Sequence, residues 1–207
     1  MKKLCVIGTL ITLVGGVAVS VNAGVYYDIG TGTAAPPPTL GGYSMVGLSG
    51  DSLTFDSSDA IAVIPGNVPA DYATWSHGYS GTVYQALGAT DLTLTLPTGA
   101  LAFYFYIEPN SKGIYDFTVS SDPATKPTSF SLSINGDGGA AYVGFYSDNT
   151  SDPLVSITVE TDLAASGFAV GEFGINGVPT VPDTASCLNI IAAIGSLGLA
   201  GWRCRRS

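Results

Sequence analysis

The stretch Leu92-Thr93-Leu94-Thr95-Leu96, closed by Pro97, and the run Leu101-Ala102-Phe103-Tyr104-Phe105-Tyr106-Ile107 that follows it decide the fold. In the first, leucine and threonine alternate strictly, so an extended backbone sorts them onto opposite faces, whereas a helix would scatter them. In the second, Leu101, Phe103, Phe105 and Ile107 share one face, which reads as core, while Ala102, Tyr104 and Tyr106 share the other, followed by Glu108. Further short runs of this kind occupy Ile114 to Val119, Phe130 to Ile134, Tyr142 to Tyr146, Leu154 to Val159 and Phe168 to Phe173. Weaker ones lie near Val25 to Ile29, Ser52 to Phe55, Ala60 to Ile64 and Thr82 to Leu87. Gly, Pro, Asn and Asp punctuate them, and no amphipathic helix of useful length intervenes. With Asn135-Gly136-Asp137-Gly138-Gly139 as a hairpin signal, the spacing predicts an all-β domain, an antiparallel β-sandwich of jelly-roll type. The stretch Thr31 to Gly42, containing Pro36-Pro37-Pro38, reads as a loop or mobile arm.

Composition agrees with many short strands. Of 207 residues 46% are hydrophobic and only 11% charged, and there are 27 Gly and 12 Pro. The basic residues crowd the tips: Lys2 and Lys3 at one end, Arg203, Arg205 and Arg206 at the other. Between Gly24 and Thr180 fifteen Asp or Glu face only Lys112 and Lys126, a balance of −13. Binding phosphates needs clustered Lys and Arg, so nucleic acid is excluded as a partner. The three cysteines, Cys5, Cys187 and Cys204, all lie in or beside the terminal apolar segments, which leaves the middle without a disulfide framework, a thiol nucleophile or thiolate metal ligands.

The ends read as addresses. Lys2-Lys3, the apolar run Leu4 to Val19 and the small-residue pattern Val21-Asn22-Ala23 form a secretory signal peptide over residues 1–23, a signal helix cut by signal peptidase between Ala23 and Gly24. The alternative is an uncleaved anchor. Residues 24–177 form the sandwich domain, 178–186 a spacer with a short motif, and 187–207 an apolar run with a basic end. Sixteen helical residues from Cys187 to Trp202 span about 24 Å against a hydrocarbon core of about 30 Å, which describes a barely spanning transmembrane helix held by snorkelling arginines.

The layout of Val181-Pro182-Asp183-Thr184-Ala185-Ser186, greasy helix and basic stop resembles the PEP-CTERM class of sorting tails, and more closely its variant beginning Val-Pro-Asp-Ser-Gly. The resemblance implies that a membrane-embedded exosortase recognises Val181, Pro182 and Asp183 and removes the tail. It further implies a protein transiently anchored in the inner membrane, then delivered to the cell surface or extracellular matrix of a polysaccharide-producing Gram-negative bacterium. Thr184-Ala185 stands where the variant has Ser-Gly, and a plain C-terminal anchor is the alternative. The segments Ala73 to Tyr79, Ala102 to Asn110 and Gly167 to Ile175 likewise resemble the central domain common among PEP-CTERM proteins; that likeness implies a fold and a setting and supplies no catalytic residues.

Within the domain chemistry is sparse. His77 is the chain's single histidine, no nucleophile elbow is present, and a histidine metal cluster cannot form within one chain; His77 reads as a hydrogen-bonded loop residue beside Trp75 and Tyr79. Glu108, Glu160 and Glu172 are the chain's glutamates, each near the end of an expected strand, and two carboxylates about 5 to 10 Å apart would suit glycoside hydrolysis. By period-two alternation Glu172 shares a face with Phe168 and Val170, at the sandwich rim or buried with a partner. Tyr104 and Tyr106 in a row, and more loosely Trp75 and Tyr79, suit stacking on sugar rings, although tyrosines also cover a strand against a loop or second sheet. Asp51, Asp56 and Asp59, and Asn135 with Asp137, are oxygen sets for a calcium ion or simply turn residues. No cofactor is expected. The leading expectation is a noncatalytic surface or matrix protein contacting exopolysaccharide or neighbouring surface proteins. The alternatives are an exported carbohydrate-active enzyme using paired carboxylates and a purely structural scaffold.

Overall fold

The computed structural model describes residues 24–29, 34–59, 61–68, 70–72, 74–123 and 127–176. The expected signal peptide up to Ala23, the motif Val181, Pro182 and Asp183, and the C-terminal apolar run lie outside these described residues.

Thirteen strands occur among the described residues: β1 (Val25–Ile29), β2 (Thr39–Leu40), β3 (Tyr43–Leu48), β4 (Thr54–Asp56), β5 (Ile64–Asn67), β6 (Thr82–Leu87), β7 (Asp91–Ala100), β8 (Ala102–Pro109), β9 (Ile114–Pro123), β10 (Thr128–Asn135), β11 (Ala141–Ser147), β12 (Leu154–Thr161) and β13 (Gly167–Asn176). All pairings are antiparallel. In the larger sheet β6, β13, β8 and β11 lie side by side, and in the smaller one β7, β12, β9 and β10. From β6 to β13 the chain therefore visits the two sheets in jelly-roll order. Around this frame β1 flanks β11, β5 flanks β6, β3 and β2 continue beyond the end of β13, and β4 flanks β7.

Alternation builds the core. Leu92 and Leu94 of β7, Phe103, Phe105 and Ile107 of β8, Phe117 and Val119 of β9, and Phe168 and Val170 of β13 are fully buried between the sheets. Each such side chain is worth roughly 1.5–3 kcal/mol of transfer free energy on burial. The polar positions of β7, Thr93 and Thr95, pair across to Thr158 and Ser156 of β12, and Thr93 and Thr158 hydroxyls meet at 2.9 Å.

Three local expectations change. Asn135 to Gly139 does not close a hairpin, because β10 belongs to the smaller sheet and β11 to the larger. The turn chemistry is present, with the Asp137 N–H donating to Asn135 Oδ1 at 3.0 Å and the Gly138 N–H to the Asn135 carbonyl at 2.8 Å. Yet a turn only redirects the chain, and core burial on two sheets decides where the next strand pairs. The stretch expected as an arm contributes β2, which pairs with β3 through Gly41 and Gly42 at φ 59° and 91°, and buries Leu40. The strand expected at Ala60 to Ile64 instead begins at Ile64, beside β6.

Candidate functional site

The outer face of the larger sheet carries a second apolar layer. On β8 the residues facing away from the core are Ala102, Tyr104, Tyr106 and Glu108, and the connection from β5 to β6 lays Tyr72 and Trp75 over them. Small residues make the room. A Cβ on Gly174 of β13 would lie 2.1 Å from the Tyr104 ring, and one on Gly171 would lie 2.8 Å from Val83.

This roof overturns the open aromatic platform. Tyr106 is 0% exposed, Tyr104 6% and Trp75 6%, while Tyr79 alone of the four keeps a half-exposed ring. The Tyr106 hydroxyl donates to the Ala34 carbonyl at 2.5 Å, and its ring packs against His77 and Tyr142 at centroid distances of 5.2 and 5.6 Å. Rings enclosed on both sides have no face to offer a sugar. They cover the sheet, the other role open to tyrosines there.

Glu172 stands apart. On one side of it Gly171 pairs with Tyr106, on the other Gly174 pairs with Tyr104, so three steps on β13 match two on β8. The extra residue is a β-bulge, and Glu172 occupies it with φ 53° in the left-handed region. Along the opposite edge of β13, β6 ends its pairing at Gly171 and β3 begins at Phe173, so Glu172 has no ladder partner on either side. Simple alternation, which groups Glu172 with Phe168 and Val170, therefore fails: the bulge turns Glu172 outward and gives its core position to Phe173. The sequence holds the signal. Bulky apolar residues occupy even positions at Phe168 and Val170 and odd ones at Phe173 and Ile175, a change of phase that one extra residue absorbs.

The carboxylate is 11% exposed and meets His77 Nε2 at 2.9 Å, with the His77 side chain 15% exposed. Trp75 Nε1 donates to the same Oε2 at 3.5 Å, and the Glu172 backbone hydrogen-bonds the Tyr79 hydroxyl, which in turn donates to the Thr82 carbonyl at 3.1 Å. His77 also has a left-handed backbone, φ 42°. Two residues in a conformation that disfavours side chains thus meet head to head. Burial raises the Glu172 pKa above the ordinary carboxylate value, and His77 and Trp75 oppose that shift. His77 is accordingly the loop residue beside Trp75 and Tyr79, with an acid as its partner.

The other acids separate. Glu108 is 2% exposed, one oxygen accepts from Thr74 Oγ1, the other has no hydrogen-bond partner, and burial raises its pKa against that single bond. Glu160 is exposed at the end of β12 on the smaller sheet, so the three glutamates do not converge. Nor do the expected calcium sets: Asp59 accepts from Thr90 N–H and Oγ1 at 2.7 Å, Asp51 from the Tyr84 hydroxyl at 3.2 Å, and Asn135 closes its own turn. Among the described residues no three acid, cysteine or histidine side chains come together in a way that would hold a metal ion.

An open groove of about 750 Å³ lies where β13 changes neighbours from β6 to β3. Tyr79, Tyr84, Tyr104, Asp51 and Glu172 line it, and no lysine, arginine or histidine does. Tyr84 stacks on Phe55 at 4.6 Å and its ring covers Gly50, where a Cβ would lie 2.0 Å away. The expected list of contact residues omitted Tyr84, Asp51 and Glu172, because only the three-dimensional break between β6 and β3 brings them to one opening.

No protein-family model matches the chain, and no curated protein matches it in sequence. Among solved structures it is similar to the CBM22-1 and GH10 modules of the Clostridium thermocellum N-terminal endo-1,4-β-D-xylanase 10B complexed with xylohexaose, at 13% identity and a TM-score of 0.42. It is also similar to the family 11 carbohydrate-binding module of Clostridium thermocellum in complex with a β-1,3-1,4-mixed-linked tetrasaccharide, at 12% identity and a TM-score of 0.35. Each match covers 65% of this chain; the chain spans 28% of the length of the first and 96% of the second.

Proposed function

We propose that this chain is an exported, exosortase-sorted protein of the cell surface or extracellular matrix whose jelly-roll domain holds exopolysaccharide without catalysis. The observation that carries the binding half is the groove at the β13 bulge, where partly exposed tyrosine rings and carboxylate acceptors share one opening. Saccharides are bound by such pairs, with a flat apolar ring face under the sugar and fixed acceptors for its hydroxyls. The signal-like and tail-like ends described above support export and sorting.

Titrating the full chain with neutral β-linked hexasaccharides and with its host's exopolysaccharide tests the groove. Tyr79→Ala should weaken binding roughly tenfold, the cost of losing one well-placed aromatic contact. No binding to any glycan, or binding indifferent to that change, removes the reading. Mass spectrometry of the protein secreted by its own host tests the sorting half, and a chain that keeps Cys187 to Ser207 in the extracellular fraction contradicts it.

One observation favours a second reading: Asp51 and Glu172 line the same groove in different environments, one exposed and one half-buried, as an acid pair for glycoside hydrolysis would. That reading requires sugar release that disappears in Glu172→Gln. Binding without release eliminates it.

A further inference from the structure

The composition of the groove speaks to the kind of sugar. Its lining has two carboxylates, Asp51 and Glu172, three tyrosines and no basic side chain, on a domain whose residues from Gly24 to Thr180 carry fifteen acids and two lysines. A uronate or sulfated polymer would bring its negative charges to a lining that holds two carboxylates and no lysine, arginine or histidine, with His77 behind the lining already turned to Glu172, so charge disfavours it. A neutral glycan would use the rings and leave the carboxylates as ordinary acceptors.

The carboxylates are held rather than free. The Tyr84 hydroxyl donates to Asp51 Oδ1 at 3.2 Å, and His77 and Trp75 both address Glu172 Oε2. Both of these donors address Oε2 and not Oε1. Glu172 is held in this place by a left-handed backbone, a conformation that persists only where surrounding packing enforces it, and strain of this kind collects at binding sites. Aromatic faces next to fixed carboxylates are what a desolvated ammonium group requires: a ring quadrupole on one side and an anion on the other.

We propose that the groove selects a polysaccharide bearing free amino groups, with each captured ammonium seated between Glu172 or Asp51 and the rings of Tyr79 and Tyr84. This rests on the glycan-binding reading above and sharpens it to cationic amino sugars.

The test is calorimetric titration of the full chain at about pH 5.5, low enough to protonate sugar amines whose neighbouring oxygens make them weaker bases than lysine, with three hexamers: β-1,4-linked glucosamine, its fully N-acetylated counterpart, and a β-linked uronate. The expected result is binding of the glucosamine hexamer about tenfold or more tighter than the acetylated one, with the uronate silent. That preference should fall away in both Glu172→Gln and Asp51→Asn, and roughly 0.5 M salt should weaken the amine-bearing ligand more than the acetylated one. Asp51 is exposed and its isosteric amide still accepts from Tyr84, so the second variant reports on charge even if the first fails to fold. Equal binding of the glucosamine and acetylated hexamers overturns amine selection and leaves the glycan reading standing. Tighter binding of the uronate likewise overturns it. Silence from all three hexamers and from the host's exopolysaccharide overturns both.

Discussion

At Glu172 one residue carries three tensions: a left-handed backbone, a half-buried carboxylate and a strand ladder that skips it. A glycine would adopt φ 53° freely, so the glutamate carries a backbone cost that is set against its contacts with His77 and Trp75. Glu172→Gly exchanges the carboxylate's pairing with His77 for backbone relief worth about 1 kcal/mol. Urea unfolding should therefore place the variant within roughly 1 kcal/mol of the parent, while glycan binding is lost. A large loss of stability would instead make the Glu172–His77 contact a structural strut.

Glu108 offers the complementary case, a carboxyl buried under Thr74 with one oxygen unpaired. Burial raises its folded pKa above the unfolded value, so between those two values the folded state holds more protons than the unfolded chain. Stability then falls as pH rises from about 4.5 through the folded pKa. Glu108→Gln, which keeps the shape and cannot ionise, should flatten that slope and raise the unfolding midpoint at neutral pH. Thermal melts of both forms from about pH 4 to 8 read this directly; a slope unchanged in the variant would assign the pH dependence elsewhere.

At the scale of elements, β8 and β13 organise the molecule, because each is buried on both faces, between a phenylalanine core and an aromatic roof. Two substitutions separate the faces. Phe103→Ala empties a fully buried core position and should cost about 3–5 kcal/mol. Gly174→Ala pushes a methyl into the Tyr104 ring and should cost about 1–3 kcal/mol as overpacking. Denaturant midpoints measure both, and a neutral Gly174→Ala would mean that the roof is loose enough to yield.

Much of this architecture is legible in the chain because alternation is local: Leu92 to Leu96 and Leu101 to Ile107 announce their inward faces, and the later strands follow the same rule. What alternation cannot supply is what covers the second face. Tyr104 and Tyr106 look the same in sequence whether water or Trp75 lies above them, and the roof arrives from a connection more than twenty-five residues earlier in the chain. Strand β3 escaped notice for a related reason. Its pairing with β13 starts just past the bulge, and Tyr43-Ser44-Met45-Val46-Gly47-Leu48 buries too little to show a period. The Asn135 turn misleads oppositely, because turn residues report a change of direction and not the identity of the next partner.

At the scale of the whole molecule the excess of acid is the dominant fact, and very little inside the fold balances it. From Gly24 to Thr180 the charge is −13, and within the fold His77 turns its ring nitrogen to one of these acids, Glu172. Of the remaining carboxylates several accept hydrogen bonds, as Asp59 does from Thr90 and Asp91 from Ser58, while Glu108 and Asp152 are buried. A compact body of one sign repels itself, and that repulsion relaxes when the chain expands, so it counts against the folded state. Mobile ions shorten its range from about 30 Å at 0.01 M to about 8 Å at 0.15 M ionic strength. The melting temperature should therefore climb by several degrees over that interval, and equally with sodium and potassium chloride because screening depends on ionic strength and not on the cation. Calorimetric scans across the two salts check both parts: a flat response would show that the acids are spaced too widely to interact, and a response confined to one cation would point to specific binding in place of screening.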